Sequence, residues 1–317
     1  MIFQICIVCY LDYYKTIGPS YIGLSQKHIQ MTILRHVVKL QKSCQRAVGL
    51  VTRNMSSVGG HDNDHLSRTS ENTRENVMSQ AIVSSVQDVS QTVKLLSLKL
   101  INPRVKFKAG QWVDFFIPGL EKVGGYSMCS SPTKLIKDGT LDLAVKYSEH
   151  PPAKWVHTQC KMDTKVAVRV GGDFHFDPLS SPSTDLLLIA GGVGINPLYS
   201  IFLHCSEQAA STGARVNLLY SASTSDELVF KKNIDSICKE CTNFNRQYFV
   251  TKENTQATKD LTNSRINKST LANSLESLDR NKVLCYICGP LSMLQDMERT
   301  LVELGVSEDR IMYEKWW

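Results

Sequence analysis

The chain has 317 residues, more than one ordinary hydrophobic core holds, so two folded units with additional segments are expected. Hydrophobic residues make up 42% and charged residues 21%, values that exclude a disordered chain. The net charge is +6, but seven of the 36 basic residues and one of the 30 acids fall within residues 1–61; the remainder is electrically balanced and gives no argument for nucleic-acid binding.

From Tyr13 to His61 there is no Asp or Glu. Arg35, Lys39, Lys42 and Arg46 recur at steps that place them on one helical face, with Leu34, Val37, Val38 and Val48 opposed. An amphipathic, arginine-containing, acid-free N-terminus is the composition of a mitochondrial transit peptide, so residues 1–54 are read as one and a mitochondrial location is expected. The alternative is a surface helix of the folded body, and Met31 is a possible second start. Residues 2–11 are apolar but too short to cross a bilayer, and no transmembrane helix is expected. Residues 55–80 carry few large apolar side chains and read as a flexible linker.

The ten cysteines follow no secretory signal, so a disulfide framework is not expected. Three Cys-x-x-Cys pairs occur. Cys285 and Cys288 lie in an apparent strand, where an offset of three sends the thiols to opposite faces. Cys238 and Cys241 have no nearby Cys or His to complete a zinc set, and Cys6 and Cys9 lie in the apolar N-terminal stretch. No metal site is expected, and the iron–sulfur spacing is absent.

Residues 81–180 show short alternating segments punctuated by Gly, Pro and Asp. AIVSSVQDVSQTVKLLSLKL reads as two antiparallel strands around Asp88; strands follow in QWVDFFIP, YSMCSS, LDLAVKYS and KVAVRVGG. With one helical stretch near 152–160, the pattern predicts a small antiparallel barrel. Pro151 and Pro152 suit a first helical turn but remove two of its amide donors.

Residues 184–317 change to alternating strand and helix. Leu186 to Ala190 is a continuous apolar run, as in a parallel strand buried on both faces. Gly191, Gly192, Val193 and Gly194 form a tight turn, and Ile195, Asn196 and Pro197 open a helix; a strand–glycine turn–helix unit suits a nucleotide phosphate or a polar nicotinamide. Further strands are VNLLYSAS, QYFVTKE and VLCYICGP, with a short helical stretch at ESLD before the last. Met293, Met297, Leu301 and Leu304 fall at helical core spacing. The expected fold is an antiparallel β-barrel followed by a parallel-sheet nucleotide-binding α/β domain. In it Gly191–Pro197 and Cys288-Gly289-Pro290 meet at the carboxyl ends of strands.

In this order, barrel, GYSMCSSP, GGVGINP, CGP and a terminal acid–aromatic pair, residues 81–317 resemble the ferredoxin–NADP reductase-like family. The resemblance implies an FAD-binding-type barrel and an NAD(P)-binding domain, with flavin between them. It places Tyr126 along the flavin, Ser127 near its reactive nitrogen, and Met128, Cys129 and Ser130 as backbone contacts. Gly191 to Pro197 approach the nicotinamide nucleotide. Cys288 stands beside the hydride path, Gly289 and Pro290 shape the turn, and Glu314 is the terminal acid. Trp316 or Trp317 covers the flavin face. Two departures stand out. Gly124 holds the position of the family's phosphate-binding arginine, so flavin uses other basics such as Lys122 or Lys154, or is lost. Ser223 stands where NADP-selective members carry an arginine, which favours NAD(H) over NADP(H), though Lys231 and Lys232 are close in sequence. The implied function is hydride transfer from NAD(P)H to FAD and on to an unknown acceptor; the alternative is a nicotinamide-nucleotide-binding scaffold or regulatory protein with a degenerate flavin site.

Overall fold

The computed structural model describes residues 64–181, 184–253, 258 and 260–314. The transit segment read over 1–54 and the aromatic residues Trp316 and Trp317 lie outside them. The first half is a six-stranded sheet: β1 (Arg74–Asp88), β2 (Val93–Leu100), β3 (Trp112–Phe116), β4 (Gly124–Ser127), β5 (Thr140–Lys146) and β6 (Lys165–Gly171). Their order is β4-β3-β6-β1-β2-β5, with every neighbouring pair antiparallel. A bridge from Met128 to Leu143 joins the two outer strands, so the sheet nearly closes into a barrel and leaves little exposed edge. Alternation drives this closure. Leu96, Leu98 and Leu100 of β2 turn inward while Ser97 and Lys99 turn out, and the inward set meets Val83, Val113, Phe115, Leu143 and Val168 in one core.

Two expectations about this half need correction. The span read as a linker contains a helical turn, α1 (His65–Arg68), and the first half of β1. Its composition is polar, but its backbone pairs with β6, as in Gln80 with Ala167 and Met78 with Arg169. That pairing supplies the order that local hydrophobicity does not. A second helix, α2 (Pro132–Asp138), precedes β5 in addition to the expected α3 (Pro151–Thr158). Its signals are legible in retrospect: Pro132 in the first turn and Gly139, at φ +66°, closing the end in the left-handed region.

The second half is a parallel sheet of β7 (Leu186–Gly191), β8 (Val216–Ala222), β9 (Phe244–Val250), β10 (Leu261–Thr262), β11 (Leu284–Cys288) and β12 (Ile311–Glu314). The order is β10-β9-β8-β7-β11-β12. Its helices are α4 (Ile195–Glu207), α5 (Ala209–Thr212), α6 (Lys231–Glu240), α7 (Lys268–Glu276) and α8 (Leu291–Glu303). The helical stretch read at ESLD thus lies earlier, in α7. The apolar run of β7 divides by parity. Leu186, Leu188 and Ala190 join Ile195, Leu198 and Phe202 of α4, whereas Leu187 and Ile189 join Leu271 and Leu275 of α7 and Leu294, Met297 and Leu301 of α8. The two cysteines of β11 split in the same way, Cys285 into one core and Cys288 into the other, as strand periodicity requires. Among the described residues there is no cluster able to hold a metal ion, and no helix is long and apolar enough to cross a membrane.

Side chains of one half bond the other at several points. Ser200 donates to the Ser130 carbonyl (2.6 Å), Asn196 Nδ2 to the Ala144 carbonyl (2.7 Å) and Tyr286 to the His175 carbonyl (2.9 Å). Ser90 and Thr92 of the barrel both donate to Glu227 (2.8 and 2.7 Å). These bonds hold the barrel against the parallel-sheet half.

Candidate functional site

The chain runs from β7 outward through β8, β9 and β10, then returns to β11 and β12 on the other side of β7. The strand order therefore reverses between β7 and β11, and a crevice opens at such a switch point. Ala190 pairs with Cys288, and Cys288 in turn with Glu314, so three strand ends finish side by side. After Gly191 the chain makes a single turn of 3-10 helix, Gly192–Gly194, and enters α4. The turn packs tightly on β11: a Cβ on Gly194 would stand 2.3 Å from the Cys288 carbonyl oxygen.

Two cavities share this crevice. One, of about 450 Å³, lies toward the barrel and is lined by Tyr126, Ser127, Gly191, Gly192, Val193, Gly194, Asn196, Cys288, Gly289 and Pro290. The other, of about 300 Å³, runs along the sheet past Ser221, Ser223, Glu227, Thr251, Arg265 and Met293. Lys146, Gly191, Gly192 and Pro290 line both, which makes one groove from barrel to sheet edge. Most residues singled out in the sequence thus converge, although Ser127 and Cys288 are 161 positions apart in the chain.

Some do not enter the groove. Met128 is buried in the barrel core, and its amide donates to the Gln111 carbonyl (3.0 Å). The Cys129 amide donates to the Asp142 carbonyl (2.9 Å), and Ser130 Oγ accepts from the Asp142 amide (3.0 Å). Met128 ties the end of β4 to the start of β3, Cys129 and Ser130 tie it to β5, and these groups are committed within the protein. Ile195 and Pro197 are buried in the first turn of α4, behind the groove. Met293, read as core filler, packs partly against the core and also lines the second cavity. Lys231, considered for a 2′-phosphate, is bound to Asp235 (2.6 Å) and lies over the Tyr248 ring.

Ser127 donates to Glu314 Oε2 at 3.2 Å, and both are buried. Local sequence contains no hint of this pair, which joins β4 to β12. Tyr126 packs edge-on against Phe115, and its hydroxyl is buried with no hydrogen-bond partner among the described residues. Burial pushes the Tyr126 phenol pKa well up, so the group is a neutral donor. Asn196 Oδ1 is likewise buried and unpartnered while its Nδ2 is engaged. Two orphaned polar atoms at the groove are what a polar ligand would satisfy. A buried hydroxyl without a partner costs about 1–3 kcal/mol. Tyr126→Phe is therefore expected to leave the ligand-free protein as stable or about 1 kcal/mol more stable in urea unfolding, while weakening whatever ligand bonds that hydroxyl.

Sequence reasoning missed Lys146, Glu227, His65, Arg68 and His150. Lys146 ends β5 and lies 3.6 Å from Glu227. Partial burial would raise the Glu227 pKa, but hydrogen bonds from Thr92 and Ser90 and the charge of Lys146 outweigh it and keep the carboxylate ionised.

The model of the oxidoreductase NAD-binding domain matches residues 188–299. Oxidoreductase NAD-binding domain-containing protein 1 of Danio rerio is 46% identical over 263 residues, which cover 80% of this chain and 97% of that protein. The crystal structure of Amycolatopsis cytochrome P450 reductase GcoB superposes with a TM-score of 0.66 at 22% identity, covering 77% of this chain and 71% of that one. A ferredoxin NADP+ reductase from Neisseria gonorrhoeae with bound FAD and NADP superposes with a TM-score of 0.62 at 19% identity, covering 76% and 99%. The structural likenesses establish a common barrel-plus-α/β fold.

Proposed function

The chain belongs to the family of oxidoreductase NAD-binding domain-containing protein 1, and from that premise we propose that it is an NAD(P)H oxidoreductase that holds FAD in the barrel-side cavity and passes electrons to a separate acceptor. The observation that carries this reading is the continuous groove at the switch point, with Ser127, Gly191–Gly194, Asn196 and Cys288 on its walls. The N. gonorrhoeae reductase carries both FAD and NADP on the same fold, which supports two neighbouring cofactors.

A bound flavin would supply the hydride acceptor and the route to one-electron partners. The chain's own residues would position and shield. Ser127, its hydroxyl directed by Glu314 at 3.2 Å, would hydrogen-bond the acceptor ring. Tyr126 would bond the flavin chain through the hydroxyl that has no partner among the described residues. The Gly191–Gly194 turn would let backbone approach the nicotinamide, with Asn196 Oδ1 offered as an acceptor. Cys288, 1% exposed, would act as a small wall group beside the transfer path. The gain is proximity and exclusion of water.

NAD(H) is the favoured donor in this reading. The second cavity carries Ser223 and the ionised Glu227, and Glu253 accepts from the Ser225 amide (2.6 Å) where β8 ends. Carboxylates in this place oppose a 2′-phosphate; Arg265 and Lys146 on the same walls are the competing cations. The mitochondrial destination rests on the acid-free composition of residues 13–61 alone, and import of that segment fused to a reporter tests it.

One observation favours the scaffold reading instead. A Cβ on Gly124 would meet the Tyr126 ring at 2.6 Å and Pro152 at 3.0 Å, so an arginine here would require the Tyr126 ring to move. The visible spectrum of the purified protein, followed by anaerobic NADH and NADPH, decides between the two. Bound flavin that bleaches faster with NADH is the expected result. No flavin after incubation with excess FAD and FMN would overturn the oxidoreductase reading.

A further inference from the structure

We propose that Arg68, on the helical turn α1, is the cation that receives the phosphate end of a flavin nucleotide, replacing any side chain at position 124. The proposal rests on the flavin reading above and extends it to a residue outside the barrel strands.

The two glycines of β4 leave room that another part of the chain fills. A Cβ at Gly125 would lie 2.2 Å from the His65 ring, so only glycine there admits α1. The turn is then fixed from three sides. His65 Nε2 bonds Asp114 Oδ1 (2.9 Å), and its ring meets Trp112 edge-on at 4.9 Å. Thr69 Oγ1 donates to the His65 carbonyl (2.7 Å), and Arg74 Nη1 donates to the Thr69 carbonyl (2.6 Å). These anchors come from β1 and β3, so the placement of Arg68 does not depend on a ligand.

Arg68 is exposed and lines the barrel-side cavity together with His65 and His150. Burial and the charges of Arg68, Lys122 and His65 hold the His150 imidazole below its ordinary pKa, with Asp64 opposing. Arg68 therefore brings a guanidinium to the end of the cavity next to the start of α3. That helix start is poor in donors. Pro151 and Pro152 occupy its first two positions, which leaves Ala153, on the cavity wall, as the remaining first-turn amide. With the backbone contribution reduced and a glycine at position 124, a guanidinium from α1 is the group suited to a phosphate, which it can bond through two parallel N–H donors.

The test is flavin binding to the full chain, stripped of cofactor, measured by fluorescence quenching with FAD, FMN and riboflavin. Arg68→Ala is expected to weaken FAD and FMN on the order of 10- to 100-fold and leave riboflavin, which has no phosphate, unchanged. The variant's salt dependence should also be shallower, and Arg68→Lys should recover part of the affinity. Circular dichroism confirms that the variants fold. Equal loss for all three flavins would make Arg68 a structural residue and overturn the proposal, as would unchanged FAD and FMN affinity. Wild-type protein that binds none of the three would overturn the flavin reading itself and this assignment with it. Wild-type binding without an Arg68 effect overturns only the assignment.

Discussion

Replacing Gly194 with alanine will disrupt the crevice and abolish nucleotide binding. The backbone there is ordinary, at φ −61° and ψ −9°, so conformational preference is not the obstacle. Space is: the new Cβ would lie 2.3 Å from the Cys288 carbonyl oxygen, 2.5 Å from its carbon and 2.7 Å from the Gly289 nitrogen. All three are backbone atoms of the neighbouring strand end and cannot swing aside as a side chain tip can. Relief requires β7 and β11 to part where Ala190 and Cys288 pair. Overpacking of this kind costs about 3 kcal/mol, and the shift falls on the groove itself. Urea unfolding and titration with NADH read the two effects. Gly192 is the control. Its φ is +56° with nothing within 4 Å of a Cβ, so Gly192→Ala should cost about 1 kcal/mol of backbone strain and leave the fold intact. A Gly194→Ala protein as stable as wild type and equally able to bind nucleotide would refute the close-approach account.

Removing the Asp114 carboxylate will destabilise the barrel by about 3 kcal/mol, toward the lower end of the range for breaking a buried ion pair, because water partly solvates the arginines left behind. Asp114 is fully buried between Arg74 (3.0 Å), Arg169 (2.7 Å) and His65 (2.9 Å), and the side chains of Arg74 and Arg169 are 15% and 29% exposed. Asp114→Ala strands both guanidiniums against Trp112 and Phe116, over which they lie. The same cluster sets an acid limit. Burial alone would raise the Asp114 pKa, but hydrogen bonds from His65, Arg74 and Arg169 bring it down from 3.8 to about 2. Because the folded value lies below the unfolded one, the stabilisation is complete above pH ~4 and is lost as pH falls toward 2, for about 2 kcal/mol in all. Denaturant midpoints measured between pH 7 and pH 2 should show this loss in wild type and lack it in Asp114→Asn. Since His65 hangs on Asp114, either substitution should also loosen α1 and with it the hold on Arg68.

The order of modules was legible from sequence because it rests on local periodicity. Alternation marked the barrel strands, the apolar run Leu186–Ala190 marked the central parallel strand, and the glycine turn followed by Pro197 marked the entry to α4. Strand parity alone sent Cys285 and Cys288 to opposite faces. What decided the site was contact between segments far apart in the chain. Ser127 meets Glu314 across 187 residues, His65 meets Asp114 across 49, and Gly194 touches the backbone of Cys288. A polar segment such as residues 64–73 reads as linker because its own composition buries little; His65 and Thr69 are ordered by side chains of β1 and β3. For the same reason Gly124 reads from sequence only as the place of a missing arginine, whereas in the folded chain Gly124 borders Tyr126 and Pro152, and Gly125 leaves the space that His65 occupies. Local pattern specified the elements, and only the packing of those elements determined which charges face the groove.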